Sequence, residues 1–186
     1  MYIEGKLVKL RAIELEDLEK LNKWSNSPEL WRNLGGWHFP YSKMNTENWI
    51  RSINNDDQKN HVFAIDTEGH KLVGTANIVN IDWKNRNAFH GMMLGDKEAR
   101  GRGFAQDAVM ALMRYAFDEL GLQRLDGDMI AYNKPSIDFY TKRCGWEIEG
   151  IKKDWFFRAG EFHDKVVVGI TKSRYEEFSK KIGYWE

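Results

Sequence analysis

Apolar positions recur along the chain with two periods, and the changes of period mark out the elements. Residues 5–11 (GKLVKLR) set Leu7 and Leu10 among lysines and predict a first strand near a sheet edge. Leu15, Leu18, Leu21 and Trp24 then fall at helical spacing, with Glu14, Glu16 and Asp17 crowding the first turn, where negative charge suits the helix dipole. Residues 25–41 hold Pro28, Gly35, Gly36 and Pro40 among large aromatics, which predicts irregular structure with one short helix, in the manner of a pocket wall. Thr46 is the predicted N-cap of a helix carrying Trp49, Ile50 and Ile53, which ends in the polar run 54–60.

The period then changes to two. Residues 61–66 and 71–82 read as strands joined by a turn at Thr67, Glu68, Gly69 and His70. A turn at Asn85, Arg86 and Asn87 leads to a strand over 88–94, and Gly91 in its middle predicts a bulge or a close approach of another backbone or a ligand. After a polar loop, Ala105, Ala108, Val109, Leu112, Met113, Ala116 and Phe117 share one helical face, and Gly121 is placed to stop that helix. Residues 124–131 form the next strand, and Pro135 suits the first turn of a helix running to about Cys144. Strands over 146–158 and 162–171 flank a turn at Ala159 and Gly160, and residues 174–181 form a last short helix. The order predicts a mixed α/β (α+β) fold: a largely antiparallel sheet of six to seven strands flanked by helices, with one parallel crossover.

Composition narrows the function classes. The 186 residues suffice for one domain with a sizeable core, and no linker or repeat divides them. Lys plus Arg equals Asp plus Glu at 28 each, so no overall field draws the chain to nucleic acid or to an anionic membrane, and any anion site must be local. Cys144 is the single cysteine, which excludes an intramolecular disulfide and fits a reducing compartment. No apolar run nears ~18 residues and the N-terminus lacks a signal-peptide pattern, so a cytoplasmic location is expected. No His, Cys and Asp cluster has metal-ligand spacing, and no metal is expected.

Candidate chemistry starts at residues 96–111, DKEARGRGFAQDAVMA, where Gly101 and Gly103 lie in a polar loop that runs into a helix. Such glycines let a chain turn its N–H groups inward, and a helix leaves its first four amides unpaired beside the positive end of its dipole. Arg100 and Arg102 add charge to what reads as a backbone cradle for a phosphate or pyrophosphate.

Arg100-Gly101-Arg102-Gly103-Phe104-Ala105 resembles the R/Q-x-x-G-x-G/A signature of the GNAT superfamily of acetyltransferases, and it follows a strand and opens a long helix as that family requires. The likeness continues in Asn133 and Ser136 at a helix start, in Gly145-Trp146 where the family usually has Gly-Phe, and in the 160–164 hairpin. Within the superfamily the chain is most similar to the branch of spermidine acetyltransferases and ribosomal-protein N-terminal acetyltransferases. The resemblance covers about residues 6–172, so residues 1–186 are expected to form a single acetyltransferase domain with a short extension over 173–186.

What the resemblance implies is acetyl transfer from acetyl-CoA to a primary amine by direct attack in a ternary complex. It places the CoA pyrophosphate on the amides of Arg100, Gly101, Arg102, Gly103, Phe104 and Ala105, with Asn133 and Ser136 nearby. The pantetheine arm and acetyl carbonyl would lie along a bulged strand at Gly91, Met92, Met93 and Leu94. Tyr140, seven residues after Asn133, is the candidate acid facing the CoA sulfur, whereas counting four back from Gly145 selects Thr141. The two anchors differ by one residue, which implies an extra residue such as a π-bulge in that helix. A phenol hydrogen-bonds a thiolate better than threonine does, which favours Tyr140. For the base, His90 on the strand leading to the acetyl site is the candidate, with Asp82, His38, His163 and a water chain as rivals. Cys144 has no histidine and acid partners and reads as a small buried residue, and His163-Asp164 reads as a buttress of the hairpin.

Trp31, Trp37, His38, Phe39 and Tyr41 gather in the section that covers the acceptor side in this family. Too few acids cluster there to require a polycation. A small-molecule amine such as a polyamine or amino sugar ranks first, a protein N-terminus second, and a CoA-binding regulatory module without catalysis stays open as a different class. The resemblance also allows for a homodimer.

Overall fold

The computed structural model of the chain describes residues 2–36, 39–53, 56–69 and 71–186. Eight strands form one sheet: β1 (Ile3–Glu4), β2 (Lys9–Arg11), β3 (His61–Thr67), β4 (Lys71–Asp82), β5 (Asn87–Leu94), β6 (Arg124–Ile130), β7 (Glu147–Arg158) and β8 (Glu161–Thr171). They lie in the order β1-β2-β3-β4-β5-β6-β8-β7, and every neighbouring pair is antiparallel except β5 and β6. The helices are α1 (Leu18–Ser25), α2 (Pro28–Asn33), α3 (Lys43–Ser52), α4 (Phe104–Arg114), α5 (Lys134–Asp138) and α6 (Lys172–Lys181). None of the described helices is long and apolar enough to cross a membrane.

The strand beyond the expected six to seven is β1, which lies ahead of the predicted 5–11 strand, and of that segment only Lys9–Arg11 is extended. A turn separates β1 from β2, and the buried Asp107 carboxylate on α4 sits inside it, accepting the Lys6, Leu7 and Val8 amides at 2.9, 2.6 and 2.9 Å. A side chain on Gly5 would collide with that carboxylate. The helix expected behind Thr46 starts a turn earlier, on Ser42, whose hydroxyl accepts the Asn45 amide at 3.0 Å. Thr46 is buried instead and accepts from the Asn22 side chain at 2.9 Å.

Period-two alternation lets β3 and β4 serve two cores. Ile65 and Val73 join the larger core, which is built on α4, whereas Ala64 and Leu72 join a smaller one with Leu21, Trp24, Leu30 and Ile50 from the N-terminal helices. Residues Ala108 to Met113 of α4 are all fully buried, beyond the single face expected, because Tyr175, Tyr184 and Trp185 from the C-terminal segment pack into the same core.

The feature that positions the site is a fork in the sheet. β5 and β6 pair only at Asn87↔Arg124, Ala88↔Leu125 and Phe89↔Asp126. Beyond Phe89, β5 stays with β4 as far as Gly74↔Leu94, and β6 stays with β8 as far as Ile130↔Lys165. The wedge therefore opens without a bulge at Gly91. The register shift lies in β4, between Val79 and Asp82, where Asn80 takes a left-handed φ of 55°. What comes close at Gly91 is a side chain rather than a second backbone: a Cβ there would lie 3.3 Å from the Asn77 amide group.

Candidate active site

A cavity of about 890 Å³ fills the fork. One wall is β5 from Phe89 to Leu94, the opposite wall is β6 from Gly127 to Ile130, and Leu30, Asn33 and Leu34 of the α2 region close over it. Past Phe89, the backbone groups on the open side of β5 face this space rather than a neighbouring strand. Tyr140, Asn133 and Ser136 come from the α5 segment, and Arg100 and Ala105 from the glycine loop and the start of α4.

Tyr140 is placed by local helix geometry. Residues Phe139–Arg143 form a π-helical turn, the extra residue that the two sequence anchors implied, and the Trp146 amide closes onto the Tyr140 carbonyl at 3.1 Å. The turn brings Tyr140 to the cavity. The Thr141 hydroxyl is spent within the helix, donating to the Ile137 carbonyl at 2.8 Å.

His90 meets Tyr140 at the closed end of the fork. Its Nδ1 lies 3.0 Å from the Asn77 carbonyl and its Nε2 lies 2.8 Å from the Tyr140 hydroxyl. A carbonyl only accepts, so Nδ1 carries the proton, and Nε2 must accept from Tyr140. Burial pushes the imidazole down to about 4, against a weaker upward pull from the Asn77 carbonyl. Burial likewise raises the Tyr140 phenol well above its ordinary value, with a smaller contribution from Cys144. Both groups are therefore neutral at pH 7. Trp146 walls the pair, with its ring centroid 5.6 Å from His90 and 5.2 Å from Tyr140.

The glycine loop has the predicted conformation. Gly101 and Gly103 take φ of 76° and 84°, in the left-handed region that favours glycine, and the Asp107 amide donates to the Gly103 carbonyl at 3.0 Å as α4 begins. Arg100 donates to Glu29 of α2 at 2.7 Å, and Lys97 pairs with the same carboxylate, so the loop is clasped to the helix that covers the cavity. Lys97 and then Arg100 hold the Glu29 carboxyl below its ordinary range. Asn133 caps α5, its Oδ1 accepting the Ser136 amide at 3.3 Å.

The remaining sequence candidates are scattered. Trp31 turns its indole N–H back to the Ser25 carbonyl. Phe39 stacks on Tyr41 at 5.3 Å, and neither ring lines the cavity. Trp37 and His38 lie outside the described residues. Asp82 ends β4 at the turn into β5 and does not line the cavity, its carboxylate held low by the Asn85 amide and side chain. His163 packs edge-on to Tyr132 at 4.8 Å, and Asp164 ties the β7–β8 hairpin through Lys153 at 2.8 Å and the Asp154 amide at 3.1 Å. Cys144 is fully buried, and burial raises its thiol.

Among the cavity residues not singled out from sequence are Asp128 on β6, Trp155 and Phe156 on β7, and Lys165 on β8. Lys165 Nζ lies 2.7 Å from Asp128 Oδ2 and 4.2 Å over the Trp155 ring. The sequence signal is weak: β6 reads RLDGDMI, and Asp128 alternates with Arg124 and Asp126 as the polar positions of a half-buried strand do.

Residues 8–147 match the acetyltransferase (GNAT) domain family. The chain is 30% identical over 176 residues to a SPbeta prophage-derived uncharacterized N-acetyltransferase of Bacillus subtilis, spanning 94% of this chain and 96% of that one. It is 27% identical over 168 residues to the spermidine N(1)-acetyltransferase of Escherichia coli, spanning 90% and 88%. Its fold superposes with a TM-score of 0.82 on the crystal structure of spermidine N-acetyltransferase from Vibrio cholerae in complex with CoA and spermine, at 23% identity over 92% of this chain and 99% of that one. With the fork, the glycine loop and these matches in agreement, the chain belongs to the GNAT family of N-acetyltransferases.

Proposed function

We propose that the protein binds acetyl-CoA across the glycine loop and along β5, and transfers the acetyl group directly to a primary amine of a small molecule entering from the α2 side. The observation that carries this reading is the placement of Arg100, Ala105, Asn133, Ser136, Tyr140 and the open side of β5 around one cavity. The residues fit such a donor. Gly101 and Gly103 hold the left-handed backbone that the turn requires, and the loop amides with the α4 N-terminus suit a pyrophosphate.

Bound acetyl-CoA would supply an acyl group already activated as a thioester. Backbone N–H groups of Met92 to Leu94 on the open side of β5 would donate to the carbonyl oxygen as charge develops on it, an effect worth about 10²–10³-fold per donor in other acyl transfers. Tyr140 would donate a hydrogen bond to the leaving sulfur. Its hydroxyl hydrogen now points to His90 Nε2 and can swing to a developing anion without movement of any heavy atom. With its phenol raised by burial, Tyr140 stabilises that sulfur as a donor rather than by giving up its proton outright. His90, pushed down to about 4, is too weak a base to deprotonate an ammonium and acts by holding Tyr140 in place. The acceptor's proton then leaves through water.

Gly103→Trp tests the donor assignment. The indole would fill the turn in a backbone conformation that disfavours it, and calorimetric affinity for acetyl-CoA should fall at least ~100-fold. Undiminished affinity would remove the loop from the site.

A further inference from the structure

The cavity has three charged lining residues among those described: Arg100, Asp128 and Lys165. Arg100 belongs to the loop end and is engaged by Glu29. The other two form a pair at the opposite end, on adjacent strands and one face of the sheet, because Asp128 sits opposite Val167 and Lys165 opposite Ile130. Their side chains are only 23% and 14% exposed. Two partners fix the Lys165 ammonium, the Asp128 Oδ2 atom at 2.7 Å and the face of Trp155 at 4.2 Å. An ammonium has three N–H groups, so this one keeps donor capacity toward the cavity.

From this pair we infer that the acceptor is an amine bearing an anionic group, a carboxylate or phosphate, close to its nitrogen, with Lys165 as the residue that selects it. The inference rests on reading the cavity as an acetyl-transfer site and names the class of its second substrate. Among the described lining residues a polycation would find one carboxylate, already neutralised by a lysine, and the Trp155 face beside it is covered by that same lysine. It would also bring like charges together in a partly desolvated space. An amine with an adjacent anion suits the pair head to tail, its nitrogen toward the second Asp128 oxygen and its anion toward Lys165. No charge in the resulting arrangement is left unpaired.

The test uses matched acceptors that differ by the anion: L-phenylalanine against phenethylamine for a carboxylate, O-phosphoethanolamine against ethanolamine for a phosphate, and spermidine as the polycation. Calorimetric binding to the protein saturated with CoA is measured beside thiol release from acetyl-CoA. The expected result is a preference of about 10-fold or more for the anionic member of one pair, equal to one charge-assisted hydrogen bond. That preference should vanish in the double variant Lys165→Met with Asp128→Asn, which removes both charges so that neither is left buried alone, and should survive in Lys165→Arg. Preference for spermidine or for the uncharged members, or an anion preference that persists in the double variant, would overturn the inference. The two readouts separate it from the reading beneath it: anion-selective binding without thiol release supports the acceptor class and refutes acetyl transfer, whereas thiol release on spermidine does the reverse.

Discussion

Tyr140 and His90 form a unit in which each fixes the other's proton. The Asn77 carbonyl sets the imidazole tautomer, the imidazole accepts the phenol, and Trp146 packs against both. Tyr140→Phe is expected to lower kcat about 10–100-fold with little change in the KM for acetyl-CoA, because the lost hydrogen bond matters only as the sulfur gains charge. Thr141→Val should stay within about threefold, since its hydroxyl serves the helix backbone. Steady-state thiol release on the two variants checks this, and the reverse order would move the role to 141. A second expectation concerns pH. The unfolded imidazole titrates near 6.5 and the folded one near 4, so in that window the unfolded chain takes up a proton that the folded protein refuses. Stability from this group is complete above about pH 6.5 and is lost as pH falls toward 4, by roughly 3 kcal/mol in all. Urea titrations at pH 7 and 4.5 should show a larger loss for the native chain than for His90→Gln, and equal losses would mean that His90 is protonated in the folded state. Tyr140 and His90 were both legible as residues. Their contact was not, because it joins a strand to a helix fifty positions further along the chain.

At the scale of elements, the apolar pattern marks most helices and strands, and the misses have identifiable causes. Residues 5–11 read as one strand because nothing near them in sequence announces Asp107, whose carboxylate folds the segment into a turn from about a hundred positions away. The helix expected behind Thr46 starts on Ser42 because the Ser42 hydroxyl faces the helix start whereas Thr46 is buried against Asn22. The bulge expected at Gly91 is unnecessary, since β5 and β6 part simply by each following its other neighbour. Asp107 also accepts the Tyr184 hydroxyl at 2.7 Å, so one buried carboxylate joins the first hairpin, α4 and the C-terminal segment. Asp107→Asn keeps the shape but loses the charge and one acceptor oxygen, and it should lower unfolding free energy by about 2–4 kcal/mol in a denaturant titration. A loss under about 1 kcal/mol would show that these contacts contribute little.

Across the whole molecule, the sheet order creates chemistry that no single segment contains. Much of the wall proposed for the donor lies close together in sequence, in β5 and the loop that follows it, and that stretch is readable as a motif. The wall proposed for the acceptor is assembled from α2, β6, β7 and β8, and the strand registers are set by long-range pairing, so Asp128, Trp155 and Lys165 emerge only once the strands are in place. The N-terminal section is rich in aromatics, yet among the described residues those of it that line the cavity are Leu30, Asn33, Leu34, Gly35 and Gly36. The activity proposed for this fork is transfer of an acetyl group from acetyl-CoA to an amine. The most direct measurement is release of free CoA thiol when the protein is incubated with acetyl-CoA and a panel of anion-bearing amines, amino sugars, polyamines and peptides. Amine-dependent release with at least one class, reduced about 10–100-fold in Tyr140→Phe, is the predicted result; silence across the panel from a protein that binds CoA tightly would contradict it and leave a CoA-binding regulatory module.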